Sequence, residues 1–379
     1  MTTRRNRTRL SALVGAVCAM TMTLAAHGGT AHARTEDHAA TLAALRTLQA
    51  SAGPGAAVHA GADGADWTLS VGTGTYGADR PIREDEHFLV GSQTKTFTAT
   101  VLLQLVDEGR VALDAPVETY LPGLVTGNGH DGTRITVRHL LQHTSGIAAY
   151  SPGVPWVVTV QPPRNADGTY DPREVVRTGL SFAPVSAPGA SFTYSNTNYV
   201  ILGLLVEAVT GAPAREAIRS RVIEPLGLSS TSFPAHGDRA LPAPAVTGYH
   251  GARLGGFYIW TPAKVLDPSL YGTAGAMVST LEDVTAFYRS LLGGELVSPG
   301  SLAEMKDVPA SRVGLGLSSR QLSCGVTAWG HSGGMPGYLS YTLVTEDGRH
   351  ASAVTNTLFQ YGAPSSQMIA LMDAALCED

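Results

Sequence analysis

The chain has 379 residues, of which 44% are hydrophobic and 15% charged, and it carries a formal net charge of −5. That length and apolar content supply the core of one large or two medium domains, and they exclude a disordered chain. The acidic balance argues against nucleic acid and anionic lipid as partners, since both would repel it.

The first element combines Arg4, Arg5, Arg7 and Arg9, an apolar run over 10–26, and the small-residue end Ala31-His32-Ala33. A basic start, an apolar middle and an A-x-A end make a secretory signal, with cleavage expected after Ala33. The alternative is an uncleaved membrane anchor, but no stop-transfer charge follows. Cleavage removes four arginines and no acid, taking the charge from −5 to −9. No later stretch reaches the roughly 18 uninterrupted apolar residues of a membrane span. The nearest, 199–209, is broken by Glu207. An exported protein is therefore expected, with one domain over 34–379 and no membrane contact once the signal is gone.

Of three cysteines, Cys18 leaves with the signal, and Cys324 and Cys377 remain. An even pair in an oxidising compartment is most simply a disulfide, worth on the order of 3–4 kcal/mol for a loop of about fifty residues. Two free buried thiols are the alternative.

Helical spacing over 36–51 ends at Gly53-Pro54-Gly55, and 57–60 and 67–72 read as strands around a turn at 61–64. Residues 88–91 read as the end of another strand. An amphipathic helix then follows over 96–108, with Ser92 at its start and Lys95 one turn on, on the same face. A serine hydroxyl is a weak nucleophile until a neighbour takes its proton. A dry amine can do so once desolvation lowers its pKa, which is the logic of S-x-x-K. The plain alternative is a serine cap followed by a surface lysine. Lysine is scarce here, however: Lys95, Lys264 and Lys306 are the only three.

From 109 to about 264 short helical segments alternate with Pro and Gly loops. A helix is expected over 135–143, closed by Gly146. His139 and His143 stand four apart on it, a zinc-helix spacing, but no glutamate follows the first and no third ligand is evident, so both read as ordinary helix residues. The Pro- and Gly-rich stretch 151–191 contains a helix start at Asp171-Pro172. Apolar helices follow over 198–209 and 214–223. Strand texture returns at 312–317, 326–330, 338–345 and 351–355, before a last helix over 364–376. The fold expected is α/β: an antiparallel sheet flanked by helices and built from both termini (34–100 and 265–379), with a mostly helical lobe inserted over 101–264.

Two further motifs carry chemistry. Tyr194-Ser195-Asn196 precedes the apolar helix at 198, where a phenol can relay protons and an amide can hold a substrate amide; a polar turn capping that helix is the alternative. His331-Ser332-Gly333 is expected at the end of an edge strand, with Gly334 behind it. The N–H groups of Ser92 and Gly334 would form an oxyanion hole. Gly330-His331-Ser332-Gly333-Gly334 also fits the G-x-S-x-G elbow of another hydrolase class. That motif needs a helix after the serine, which Met335-Pro336-Gly337 forbids, and Asp347 and His350 stand too close together to complete a triad.

In the order S-x-x-K, Y-x-N, H-x-G, the three motifs resemble those of the serine penicillin-recognising enzymes. The likeness is greatest to secreted D-alanyl-D-alanine carboxypeptidases of actinomycetes, relatives of class C β-lactamases. It runs from about Gly53 to Cys377 and includes 101–109, 120–124, 135–138 and 194–198. The resemblance implies a β-lactamase/transpeptidase-like fold. It also implies Ser92 as the acylated nucleophile, Lys95 as its proton partner, Tyr194 as general base and acid, Asn196 as a substrate-amide ligand, and His331 where many relatives have lysine. The family's disulfide falls on Cys324 and Cys377. Cofactor and metal are not expected; a peptidoglycan-type peptide or small acyl substrate, inhibition by β-lactams and a monomeric state are. Where the carboxypeptidases hold the substrate carboxylate with arginine and threonine, this chain has Ser318 and Gly334, and Leu270 replaces an aromatic wall residue. Arg320 is the expected stand-in for the missing arginine. The expected function is D-Ala-D-Ala carboxypeptidase, with esterase or another acyl hydrolase as second reading and a non-catalytic penicillin or peptidoglycan binder as third.

Overall fold

The computed structural model describes residues 38–378 apart from 63, 151–160, 255–256, 310, 312 and 359–364. The expected signal over 1–33, with Cys18, lies outside the described residues, as do the start of the loop-rich stretch at 151, the start of the strand at 312 and that of the last helix at 364.

Helix α1 (Ala39–Ala52) leads into β1 (Gly55–Ala62) and β2 (Ala65–Gly72), then β3 (Phe88–Leu89). A 3-10 turn over Gly91–Gln93 opens α2 (Thr94–Asp107). A mostly helical stretch follows: β4 (Thr126–Gly127), β5 (His130–Asp131), α3 (Val137–Leu141), α4 (Pro172–Leu180), α5 (Asn196–Thr210) and α6 (Ala214–Ile218). The hairpin β6 (Tyr249–Leu254) and β7 (Phe257–Pro262), α7 (Pro268–Tyr271), β8 (Val278–Ser279), α8 (Leu281–Leu292) and α9 (Pro299–Lys306) lead back to the sheet. The chain closes with β9 (Ser318–Gln321), β10 (Thr327–Met335), β11 (Tyr338–Thr345), β12 (His350–Thr355) and α10 (Ser365–Cys377).

Six strands form one antiparallel sheet in the order β2-β1-β12-β11-β10-β9, so both ends of the chain supply it. Period-2 alternation splits their side chains between two cores. Ala56, Val58, Leu343 and Ala353 pack with Leu45, Leu48, Leu371 and Met372 of α1 and α10. On the opposite face Ala57, Val344 and Val354 belong to the larger core with α2 and α8, where the Phe97 and Phe287 rings stack at 3.6 Å.

Four local expectations are corrected. Helix α2 is not amphipathic: Thr94 through Leu103 are all buried, because Thr98 and Thr100 return their hydroxyls to the carbonyls of Thr94 and Thr96 and so need no water. The helix expected over 135–143 stops at Leu141. The first late strand is Ser318–Gln321 rather than 312–317: the apolar pattern there marks Leu315 and Leu317, buried without entering the sheet, while the edge strand itself is polar. Last, β10 runs on to Met335, so His331-Ser332-Gly333 lies within a strand and not at its end.

Cys324 and Cys377 are joined, tying α10 to the turn between β9 and β10. Cys377→Ser is expected to lower unfolding free energy by about 3–4 kcal/mol while leaving the Ser92 region folded. Denaturant titration read beside covalent labelling of Ser92 tests this; an unchanged midpoint refutes it.

Candidate active site

Ser92 is half-buried in the turn that opens α2. Two glycines let the sheet meet that turn. Gly91 has φ +58°, and a Cβ there would lie 2.8 Å from Gly334 N; a Cβ on Gly333 would lie 1.8 Å from the Val90 carbonyl oxygen. Close backbone approach at both points brings residues 91–92 against 333–334, the two segments that would supply oxyanion-hole N–H groups.

Lys95 is fully buried on α2. Its Nζ stands 2.6 Å from Ala274 O, 2.8 Å from Asn196 Oδ1 and 3.2 Å from Ser92 Oγ. Burial alone drives its pKa well below the ordinary lysine value. A neutral amine has two hydrogens and one lone pair. The two oxygens at shorter range can only accept, so they take the hydrogens and the lone pair is left for the Ser92 hydroxyl. This arrangement can accept the serine proton.

Tyr194 lies on the other side of Lys95, its ring centroid 4.9 Å from Nζ. It keeps 39% of its surface exposed, yet the protein crowded around the phenol raises its pKa, and a hydrogen bond with Ser92 pulls the other way. Asn196 is the first residue of α5 rather than a loop residue, with Ser195 as the helix cap. Its Oδ1 accepts from Lys95 Nζ.

His331 is buried, with Nδ1 2.5 Å from Ser332 O. Desolvation by burial pushes its pKa down to about 4, so the imidazole is neutral where many relatives have a cation. Ser332 and Gly334 point to the opposite, exposed side of β10. Strand β9 covers β10 only from Thr327 to Gly330, leaving the edge from His331 to Met335 without a strand partner among the described residues. Structure therefore brings Ser92, Lys95, Tyr194, Asn196, His331, Gly333 and Gly334 together, with Ser332 beside them.

Arg320 is not brought to that edge. It pairs opposite Ala328, four residues before Ser332, and its Nε donates to Tyr341 Oη at 3.3 Å. Ser318 donates its hydroxyl to the Gly330 carbonyl at 2.9 Å. Leu270 is half-buried and accepts from Tyr150 Oη through its backbone.

His143 was not legible as part of the site. It lies beyond the end of α3 with φ +56°, closing a Schellman motif through Thr144 N to His139 O and His143 N to Leu140 O. Glycine or asparagine usually fills that position, and another residue there costs about 1–3 kcal/mol. Its partner in the apparent zinc spacing, His139, is spent on a capping box with Thr136.

The sheet, the helix carrying S-x-x-K and the cluster around Lys95 define a serine acyl hydrolase with the β-lactamase and penicillin-binding-protein fold. The chain belongs to the Beta-lactamase family, which matches residues 16–374. A D-stereospecific amidohydrolase from Streptomyces sp. superposes with a TM-score of 0.78 at 39% identity, covering 90% of this chain and 99% of that one. Penicillin-binding protein 4 of Amycolatopsis lactamdurans is 31% identical over 324 residues, 80% of this chain and 81% of that protein. Esterase EstB of Burkholderia gladioli is 32% identical over 301 residues, 70% of this chain and 69% of that one.

Proposed function

We propose that the protein is a secreted, D-stereospecific acyl hydrolase that opens amides and esters through an acyl-enzyme on Ser92, with D-Ala-D-Ala carboxypeptidase as its weaker activity. Ser92 Oγ attacks the substrate carbonyl carbon as its proton passes to the Lys95–Tyr194 pair. The N–H groups of Ser92 and Gly334 hold the oxyanion. Collapse breaks the bond to the leaving amine or alcohol, which takes a proton from Tyr194. Water then attacks the acyl carbon as its proton passes to the Lys95–Tyr194 pair, and the pair returns that proton to Ser92 Oγ as the bond to the acyl group breaks and the acid leaves. Asn196 and the β10 edge from His331 to Gly334 hold the substrate.

One observation carries the choice among substrates. On the side where a leaving-group carboxylate would sit, Ser318 is bonded to Gly330, Arg320 is engaged on Tyr341, His331 is uncharged and Gly334 has no side chain. A carboxylate entering a partly dry cleft needs a charge-assisted bond of about 1.5–3 kcal/mol or it leaves its desolvation uncompensated. Neutral amides and esters carry no such cost. The D-stereospecific amidohydrolase and the esterase among the relatives support this reading, and the penicillin-binding relative supports acylation by β-lactams. Export is supported by the basic, apolar and small-residue pattern of 1–33 and by the disulfide.

Ser318→Arg is expected to raise kcat/KM on an acyl-D-Ala-D-Ala peptide roughly tenfold or more and to leave D-alanine amide nearly unchanged. A wild type that strongly prefers the carboxylate peptide would overturn this reading of the cleft, whether or not Arg320→Ala weakens that preference.

A further inference from the structure

Three contacts converge on the segment that carries Tyr194, and all come from His143. The imidazole stacks on the Tyr194 ring with centroids 4.3 Å apart and planes 29° from parallel. Its Nδ1 accepts the Ser195 N–H at 3.1 Å. Its backbone carbonyl accepts the Thr193 N–H at 2.8 Å. Residues 193, 194 and 195 are thus each held by one residue, through main chain, ring face and ring nitrogen in turn. That residue is 1% exposed and keeps a left-handed backbone where its helix would more cheaply end in glycine.

Tight packing alone does not account for this. Glycine or asparagine at 143 would relieve the backbone and preserve the Schellman bonds, but neither has a ring to lay against Tyr194. Strain kept at a buried position beside reacting groups points to use at that position.

We infer that His143 is a positioning residue for Tyr194: its neutral imidazole, as the Nε2–H tautomer, fixes the phenol where it delivers the proton to the leaving group. Burial disfavours protonation of this ring, which keeps Nδ1 an acceptor. The inference rests on the proposed role of Tyr194, so that role needs its own control.

An amide nitrogen must be protonated to leave, whereas p-nitrophenolate leaves unaided. Loss of phenol placement therefore costs amide turnover far more than ester turnover, and a merely destabilised fold would lower both alike. His143→Asn tolerates the left-handed backbone and offers an acceptor oxygen but loses the ring. His143→Phe keeps the ring and loses the acceptor. Each is expected to lower kcat/KM, which reports acylation and not the deacylation that both substrates share, by about 100-fold on D-alanine amide and by under tenfold on p-nitrophenyl acetate. Tyr194→Phe should give the same pattern, more severely. If Tyr194→Phe lacks the amide-over-ester bias, the proposed role of Tyr194 fails. If Tyr194→Phe has it and the His143 variants lose both activities equally, or neither, the inference about His143 fails alone. Nitrogen-15 spectra of the wild-type histidines at pH 7.5 decide it without any variant: His143 must show an unprotonated Nδ1, and a protonated one overturns the inference.

Discussion

Ser92→Ala is expected to abolish both turnover and covalent labelling, with kcat falling by at least about 10⁴-fold, while Ser332→Ala keeps most of the activity. Both serines sit in motifs that can carry a nucleophile, and their surroundings separate them. Ser92 lies in a turn that runs directly into α2, with Lys95 Nζ 3.2 Å from its oxygen. Ser332 lies inside β10, pairs opposite Tyr341 on β11, and is followed by a turn and another strand rather than a helix. It therefore lacks the strand-to-helix elbow that G-x-S-x-G requires. Intact mass after incubation with a penicillin and with an activated ester, beside kcat for both variants, gives the answer. A silent Ser332→Ala with an active Ser92→Ala would reverse the assignment.

What the sequence could reveal follows from the range of each interaction. Ser92 and Lys95 are three apart on one helix, so their pairing is local and legible. Sheet construction from both ends of the chain was legible too, because alternation in 338–345 and 351–355 is a local signal that matches β11 and β12. Distant backbone contacts leave no such trace. Ala274 receives a Lys95 hydrogen through its carbonyl, which any residue possesses. The close approach of Gly91 to Gly334 joins segments more than 240 residues apart. For His143 the periodic pattern was misleading, since continuing the helix two residues past Leu141 placed its ring on a helix face and away from Tyr194. The strand over β9 escaped because an edge strand facing water need not be apolar, and the apolar residues just before it serve the core instead.

Lys95→Met is expected to cost at least about 10³-fold in kcat and, separately, to remove a pH dependence from the protein's stability. Methionine matches the length and apolar character of the lysine stem and cannot take a proton from Ser92. The stability effect follows from burial. An unfolded chain holds the lysine proton up to a pKa of about 10.4, whereas the folded site, fully dry, holds it only to a much lower pH. Between those two values the unfolded state binds one proton more than the folded state, so unfolding free energy rises with pH by up to about 1.4 kcal/mol per unit. Below the folded value both states are protonated and above about 10.4 neither is, so the slope vanishes at each end. All other titrating groups are shared with the variant and largely cancel in the difference. Denaturant titrations of both proteins at pH 7, 8 and 9 should thus show wild type gaining on Lys95→Met at each step. A flat difference across that range would mean that Lys95 keeps its proton in the fold, and an ammonium with no lone pair cannot be the group that takes the proton of Ser92.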